Sequence, residues 1–94
     1  MILRMISHFN KSQYYQRVAE LGCFICGQAA EVHHKTGAGM AKKAHYMDTM
    51  PLCPGHHRLN NFGHAVHNGT KTFEENYYTQ DYMIEKTREA ICGL

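Results

Sequence analysis

Long hydrophobic runs are missing from this chain of 94 residues. Its apolar stretches are short and interrupted by charged residues or histidine, so the sequence predicts no transmembrane helix and no membrane partner. The apolar stretch at residues 1–5 is too brief for the hydrophobic region of a signal peptide, and no small-residue cleavage site follows it. We therefore expect a cytoplasmic protein.

The chain also lacks internal repeats, low-complexity tracts and a large excess of charge, since its formal net charge is +2. A hydrophobic content of 44% is ordinary for a globular protein and excludes general disorder. A chain of this length makes one small domain, residues 1–94, whose modest core would gain stability from a structural metal. A cytoplasmic location favours metal-bound thiolates over disulfides.

The charged residues are unevenly distributed. Residues 33–71 contain five lysines and arginines but a single acid, whereas residues 72–94 contain five acids and two basic residues. A localised basic patch suits a polyanion such as DNA, although a few lysines also keep a loop soluble. The residues that we expect to contact phosphates, with little dependence on base sequence, are Lys35, Lys42, Lys43 and Arg58.

Local patterns predict an α+β fold. A helix is expected over residues 11–21, short strands over 29–35 and 48–53, and a short helix from about His56 to before Gly63. Two further helices are expected over residues 72–92, the last one capped by Thr79 and ended by Gly93. The domain then has a core at about 22–70, an N-terminal helix at about 11–21 and C-terminal helices at about 72–92.

Two pairs of metal-ligating residues have the spacing of zinc knuckles: Cys23-x2-Cys26 and Cys53-x2-His56. Glycine or proline lies inside or just after each pair, as tight turns require. Zinc prefers four thiolate or imidazole ligands, and a filled shell leaves no reactive position. We therefore predict a structural Zn²⁺ site, in which His57 is an alternative to His56 as the fourth ligand. Cys92 has no knuckle partner and is expected to be a thiol packed on a helix.

Seven of the eight histidines lie between residues 33 and 67. A lone histidine is usually a surface residue or a satisfied core residue, but this crowding favours a second, functional metal site. The adjacent pair His33-His34 falls on the first predicted strand, so the two side chains should point to opposite faces. One of them is then available to a metal and the other to solvent or substrate.

The chain resembles the HNH (ββα-metal) endonucleases in two segments, Val32-His33-His34 and Asp48-Thr49-Met50-Pro51-Leu52-Cys53-Pro54-Gly55-His56-His57. The stretch from Leu21 to Tyr78 is similar to the phage RecA-dependent recombination-enhancement (Ref-like) nucleases. The features shared with them are Leu-Gly-Cys-x2-Cys-Gly, a His-His pair before a basic loop with glycine, Leu-Cys-Pro-x-His-His, and a later His-x2-His. The resemblance implies a zinc-stabilised ββα-metal core of treble-clef-like shape with flanking helices.

The resemblance also implies roles for individual residues. His34 would be the general base, and Asp48, where many HNH enzymes have asparagine, would orient it. His33 would bind a catalytic divalent cation together with His57, which we also place among the catalytic residues. His67 is a close rival for the second ligand position, and His64 is a weaker candidate. Imidazole ligands accept Mn²⁺, Ni²⁺ or Zn²⁺ more readily than Mg²⁺, and the cation in use stays open.

The function implied is DNA phosphodiester hydrolysis by a one-metal mechanism. By resemblance alone, the protein would act in phage recombination with a RecA-type recombinase filament as partner, and would come from a phage or prophage in a bacterial host. The main alternative is a zinc-stabilised nucleic-acid-binding module without catalytic activity. A zinc-built protein-interaction domain ranks last, because it leaves the basic region unexplained.

Overall fold

The computed structural model describes residues 9–36 and 45–93. The elements are helix α1 (Lys11–Glu20), strands β1 (Glu31–His34) and β2 (Thr49–Leu52), a π-helical turn (Gly55–Leu59), and helices α2 (Thr70–Asn76) and α3 (Gln80–Cys92). This is a small α+β domain, and each predicted element is present with slightly different ends. The short helix expected near His56 is the π-helical turn. Lys42 and Lys43 lie outside the described residues.

Helix α1 begins with a capping box. The Asn10 side chain accepts a hydrogen bond from the backbone of Gln13 at 2.8 Å, and the Gln13 side chain accepts one from the backbone of Asn10 at 3.0 Å. Tyr14 and Val18 are fully buried on one face of the helix, whereas Leu21 at its end is 45% exposed. Leu21 is the C-cap residue, where the helix ends.

The two strands form an antiparallel pair in which His33 lies opposite Met50 and His34 opposite Thr49. Pro51 is tolerated in β2 because a two-stranded sheet leaves each strand with a free edge. His33 is 1% exposed and the next residue, His34, is exposed. The prediction that the two side chains point to opposite faces is therefore confirmed.

Helix α3 packs against β2, and helix α1 packs against both strands. Thr79 caps α3 by accepting a hydrogen bond from the backbone of Tyr82 at 3.1 Å, and Gly93 ends it with φ of 72°. Cys92 is buried against Tyr14 and Val18, as predicted. The helices in the described parts of the chain lack the length and apolar character needed to cross a bilayer.

Candidate metal centres

The first candidate centre joins the two knuckles. The ligand atoms of Cys23, Cys26, Cys53 and His56 all lie within 4.8 Å of one another. The Sγ atoms of Cys26 and Cys53 are 3.7 Å apart, and Nδ1 of His56 lies 3.3 Å from Sγ of Cys53 and 3.7 Å from Sγ of Cys23. A tetrahedral zinc ion would place such atoms roughly 3.5–3.8 Å apart. The donor set and its spacing therefore fit zinc.

Backbone N–H groups within each knuckle point at the sulfur atoms. The backbone N–H of Ile25 donates to Cys23 Sγ at 3.4 Å, and that of His56 donates to Cys53 Sγ at 3.5 Å. Burial raises the pKa of the Cys23 thiol, but hydrogen bonds to its sulfur outweigh burial, and the net pKa is lowered. The geometry of the first knuckle thus favours the thiolate of Cys23, which is the form that a metal requires.

The second candidate centre consists of His33, His57 and His67, whose ligand atoms also lie within 4.8 Å of one another. The Nε2 atoms of His57 and His67 are 3.1 Å apart, close to the roughly 3.3 Å expected for two imidazoles on one tetrahedral zinc ion. The ring of His33 lies 4.9 Å from that of His57 and 5.0 Å from that of His67, between centroids. His57 and His67 are therefore both members of this cluster rather than rivals for one position.

His57 is therefore excluded as the fourth ligand of the predicted zinc site, because its ring faces the second cluster while that of His56 faces the first. Both residues come from the π-helical turn, an element frequent at functional sites. The same turn holds His67 in place: the backbone N–H of His67 donates to the carbonyl of His57 at 3.0 Å, and that of Val66 donates to the carbonyl of His56 at 2.8 Å. One short segment thus links the two centres.

Glu31 orients His57. The Nδ1–H of His57 donates to Oε1 of Glu31 at 2.7 Å, so the lone pair of the neutral ring is on Nε2, which faces the cluster. Arg58 also binds this carboxylate, with its Nη2 atom 2.8 Å from Oε2. The hydrogen bonds from Arg58 and His57 lower the pKa of Glu31 to about 2. A carboxylate behind an imidazole in this way is typical of metal-binding histidines.

Gln80 orients His33. Thr36 fixes the orientation of the Gln80 amide, because its backbone N–H donates to Oε1 at 3.1 Å and its carbonyl accepts from Nε2 at 3.3 Å. The Oε1 atom also lies 2.8 Å from Nε2 of His33, which must therefore carry the proton. This leaves the lone pair of His33 on Nδ1. Burial lowers the pKa of His33 to about 4, so the ring is neutral at pH 7 and able to bind a metal.

The predicted general base, His34, has an exposed side chain whose Nε2 atom lies 2.7 Å from the hydroxyl of Tyr15. The prediction that Asp48 orients His34 is wrong. The Asp48 carboxylate instead pairs with Arg88 and accepts a hydrogen bond from the backbone of His45 at 3.3 Å. The physical reason is that Arg88 on α3 offers a full positive charge to a carboxylate at the start of β2.

The two described members of the predicted phosphate-binding set already have acidic partners. Lys35 lies 2.6 Å from Asp81, and Arg58 is bound to Glu31. A phosphate would have to compete with these carboxylates, although exposed ion pairs are individually weak. His64, the weaker candidate ligand, hydrogen-bonds the hydroxyl of Tyr77 at 2.8 Å and is not a member of the three-histidine cluster.

Three residues at these sites were missed by sequence reasoning: Glu31, Gln80 and Tyr15. Glu31 lies two residues before His33, so the strand alternation places both on one face, and this signal could have identified it. Gln80 is 47 residues away from His33, and Tyr15 is 19 residues away from His34. No local pattern connects those pairs.

The fold and the two clusters define a small α+β domain with two candidate metal centres. A family model described as "Protein of unknown function (DUF968)" matches residues 5–92, and the chain belongs to this family. It is 35% identical to "Uncharacterized protein YdfU" of Escherichia coli (strain K12) over 78 aligned residues. That alignment covers 79% of this chain and 21% of the relative, so the chain spans about a fifth of that protein. No solved structure matches the chain.

Proposed function

We propose that this domain is a metal-dependent endonuclease that hydrolyses phosphodiester bonds of DNA by an HNH-type, one-metal mechanism. The observation that carries the proposal is the three-histidine cluster, whose members range from buried His33 through His57 to exposed His67. A cation bound by these three imidazoles would keep its remaining coordination positions open toward solvent. Catalytic metal sites have this form, whereas structural sites are closed.

The donor set fits a divalent transition metal. His33, His57 and His67 would hold the cation, and the lone pairs of His33 and His57 are directed by Gln80 and Glu31. Three neutral imidazoles leave the full charge of the ion available, and Zn²⁺, Mn²⁺ and Ni²⁺ suit such ligands better than Mg²⁺. When bound, the cation would polarise a phosphoryl oxygen and stabilise the departing 3′ oxygen.

His34 performs the proton transfer in this proposal. Its exposed imidazole lies next to His33 on β1, and histidine is the side chain most often used as a general base. It takes the proton of the attacking water as the water oxygen bonds to phosphorus and the 3′ oxygen leaves. Strands β1 and β2 and the π-helical turn would form the ββα-metal element, with the Cys3His zinc at its base in treble-clef fashion.

The experiment is a plasmid-nicking assay with several divalent cations and with a chelator. His34→Ala should lower the nicking rate by about 10²–10⁴-fold, the usual contribution of a general base, while the zinc content and the fold are retained. His64→Ala is the matched control, because the His64 ring lies outside the three-histidine cluster and hydrogen-bonds the Tyr77 hydroxyl. Equal nicking by wild type and His34→Ala would reject this base.

DNA retention without any divalent-dependent nicking would instead favour the zinc-stabilised nucleic-acid-binding module. The partner and the setting rest on the sequence resemblance alone: a RecA-type recombinase filament in phage recombination. They are tested by running the same assay with and without recombinase-coated DNA.

A further inference from the structure

The contact between Tyr15 and His34 has a consequence for the proposed reaction. The Tyr15 hydroxyl lies 2.7 Å from Nε2 of His34, and the two rings meet edge to face at 81° with centroids 5.2 Å apart. Tyr15 is on helix α1, whose capping box and buried neighbour Tyr14 fix the position of the helix against β1. The phenol oxygen is therefore presented to His34 by a rigid element.

A neutral imidazole carries a proton on one nitrogen and a lone pair on the other. With Nε2 bonded to Tyr15, only Nδ1 of His34 can receive a proton from water, and it can do so only when Nε2 carries the hydrogen. We propose that Tyr15 is the positioning residue of the general base: its oxygen accepts the Nε2–H bond and keeps the lone pair on Nδ1. This inference rests on the proposed function and replaces the role predicted for Asp48.

The same bond would strengthen during the reaction. When Nδ1 takes the water proton, His34 becomes an imidazolium, and the bond from its Nε2–H to the Tyr15 oxygen becomes charge-assisted, which makes such bonds roughly twice as strong. The interaction is thus worth more in the transition state than in the ground state, which is the condition for a rate effect. Losing it should lower kcat and leave KM nearly unchanged.

Tyr15→Phe removes only the hydroxyl. We expect kcat to fall about 10–100-fold, which is the usual value of a hydrogen bond to a charged group, with KM within about 2-fold of wild type. Tyr14→Phe is the matched control, because it makes the same change one residue earlier. The Tyr14 hydroxyl is buried and has no hydrogen-bond partner among the described residues, so its removal should leave the nicking rate unchanged.

Two measurements distinguish a positioning role of Tyr15 from a purely structural one. In a His34→Ala background, Tyr15→Phe should have no further effect on nicking, and an equal loss in both backgrounds would overturn the inference. The second readout is the ¹⁵N spectrum of the histidine rings, which reports the tautomer without any need for activity. Wild type should show His34 with Nε2 protonated, and Tyr15→Phe should shift it toward a mixture of tautomers.

A wild-type His34 protonated on Nδ1, or a tautomer unchanged by Tyr15→Phe, would overturn the inference even in an active nuclease. Conversely, a protein that nicks no DNA with any cation would defeat the proposed function, while the spectra would still decide whether Tyr15 sets the tautomer.

Discussion

Glu31 and His57 are joined by a hydrogen bond of 2.7 Å that directs the other nitrogen of the His57 ring into the three-histidine cluster. The bond connects the first residue of β1 with the π-helical turn. It therefore links the orientation of a candidate ligand to the register of the sheet.

The first prediction is that Glu31→Ala weakens metal binding at the second centre by about 10–100-fold, the usual cost of losing such a carboxylate partner. The physical reason is that the His57 ring loses both its fixed tautomer and its fixed orientation. Calorimetric titration of zinc-loaded protein with Mn²⁺ or Ni²⁺ measures the effect. Glu89→Ala, which removes only the exposed pair with Lys86, is the control. Equal affinities for both variants would contradict the role of Glu31.

The second prediction concerns the first candidate centre, for which we propose a structural zinc. Cys26→Ser replaces the exposed ligand of the first centre, so the packing cost is small, but the metal contribution to folding is reduced. Because His56 and His57 are adjacent in the π-helical turn, the second centre should lose affinity as well. Metal stoichiometry by mass spectrometry should fall for both centres in Cys26→Ser and stay intact in Cys92→Ala. Full binding at the second centre of Cys26→Ser would show the two centres to be independent.

The features that sequence could predict are those set by short-range chemistry. The two knuckles, the Thr79 cap and the left-handed Gly93 each depend on residues within a few positions of one another. The opposite orientation of His33 and His34 followed from strand alternation alone.

The partners of the candidate site could not be predicted in this way, because tertiary packing chooses them. Gln80 is the first residue of α3, and nothing near it in the sequence indicates that it reaches His33. Asp48 was assigned by its place in a resembling motif, but Arg88, 40 residues later, gives its carboxylate a stronger partner than His34. Position in a motif therefore does not determine hydrogen bonding.

The third prediction concerns Asp48, whose carboxylate pairs with Arg88 rather than with His34. Asp48→Asn should leave the nicking rate within about 3-fold of wild type, since no change is made at the partners of His34. It should lower the free energy of unfolding by up to about 1 kcal/mol, because the pair with Arg88 is partly exposed. Urea denaturation measures this, and Arg88→Met should cost less when Asp48 is already replaced, because only the 3.0 Å hydrogen bond from Arg88 Nε to the Met47 carbonyl is then lost. A loss of activity as large as that of His34→Ala would restore a catalytic role to Asp48.

The fourth prediction is that Gln80→Met costs about 1–3 kcal/mol of stability, because it leaves the buried Nε2–H of His33 without its acceptor. The backbone N–H of Thr36 loses the same acceptor. His33 is also freed to change tautomer, so affinity for the second cation should fall along with stability.

Gln16→Met is the control. The side chain of Gln16 on α1 makes only a 3.3 Å contact with Glu20 among its described hydrogen bonds, and such surface changes alter stability by no more than about 0.5 kcal/mol. Urea denaturation of the two variants, followed by metal titration, tests the prediction. Equal unfolding free energies for Gln80→Met and Gln16→Met would mean that Gln80 is not the hydrogen-bond acceptor that His33 needs.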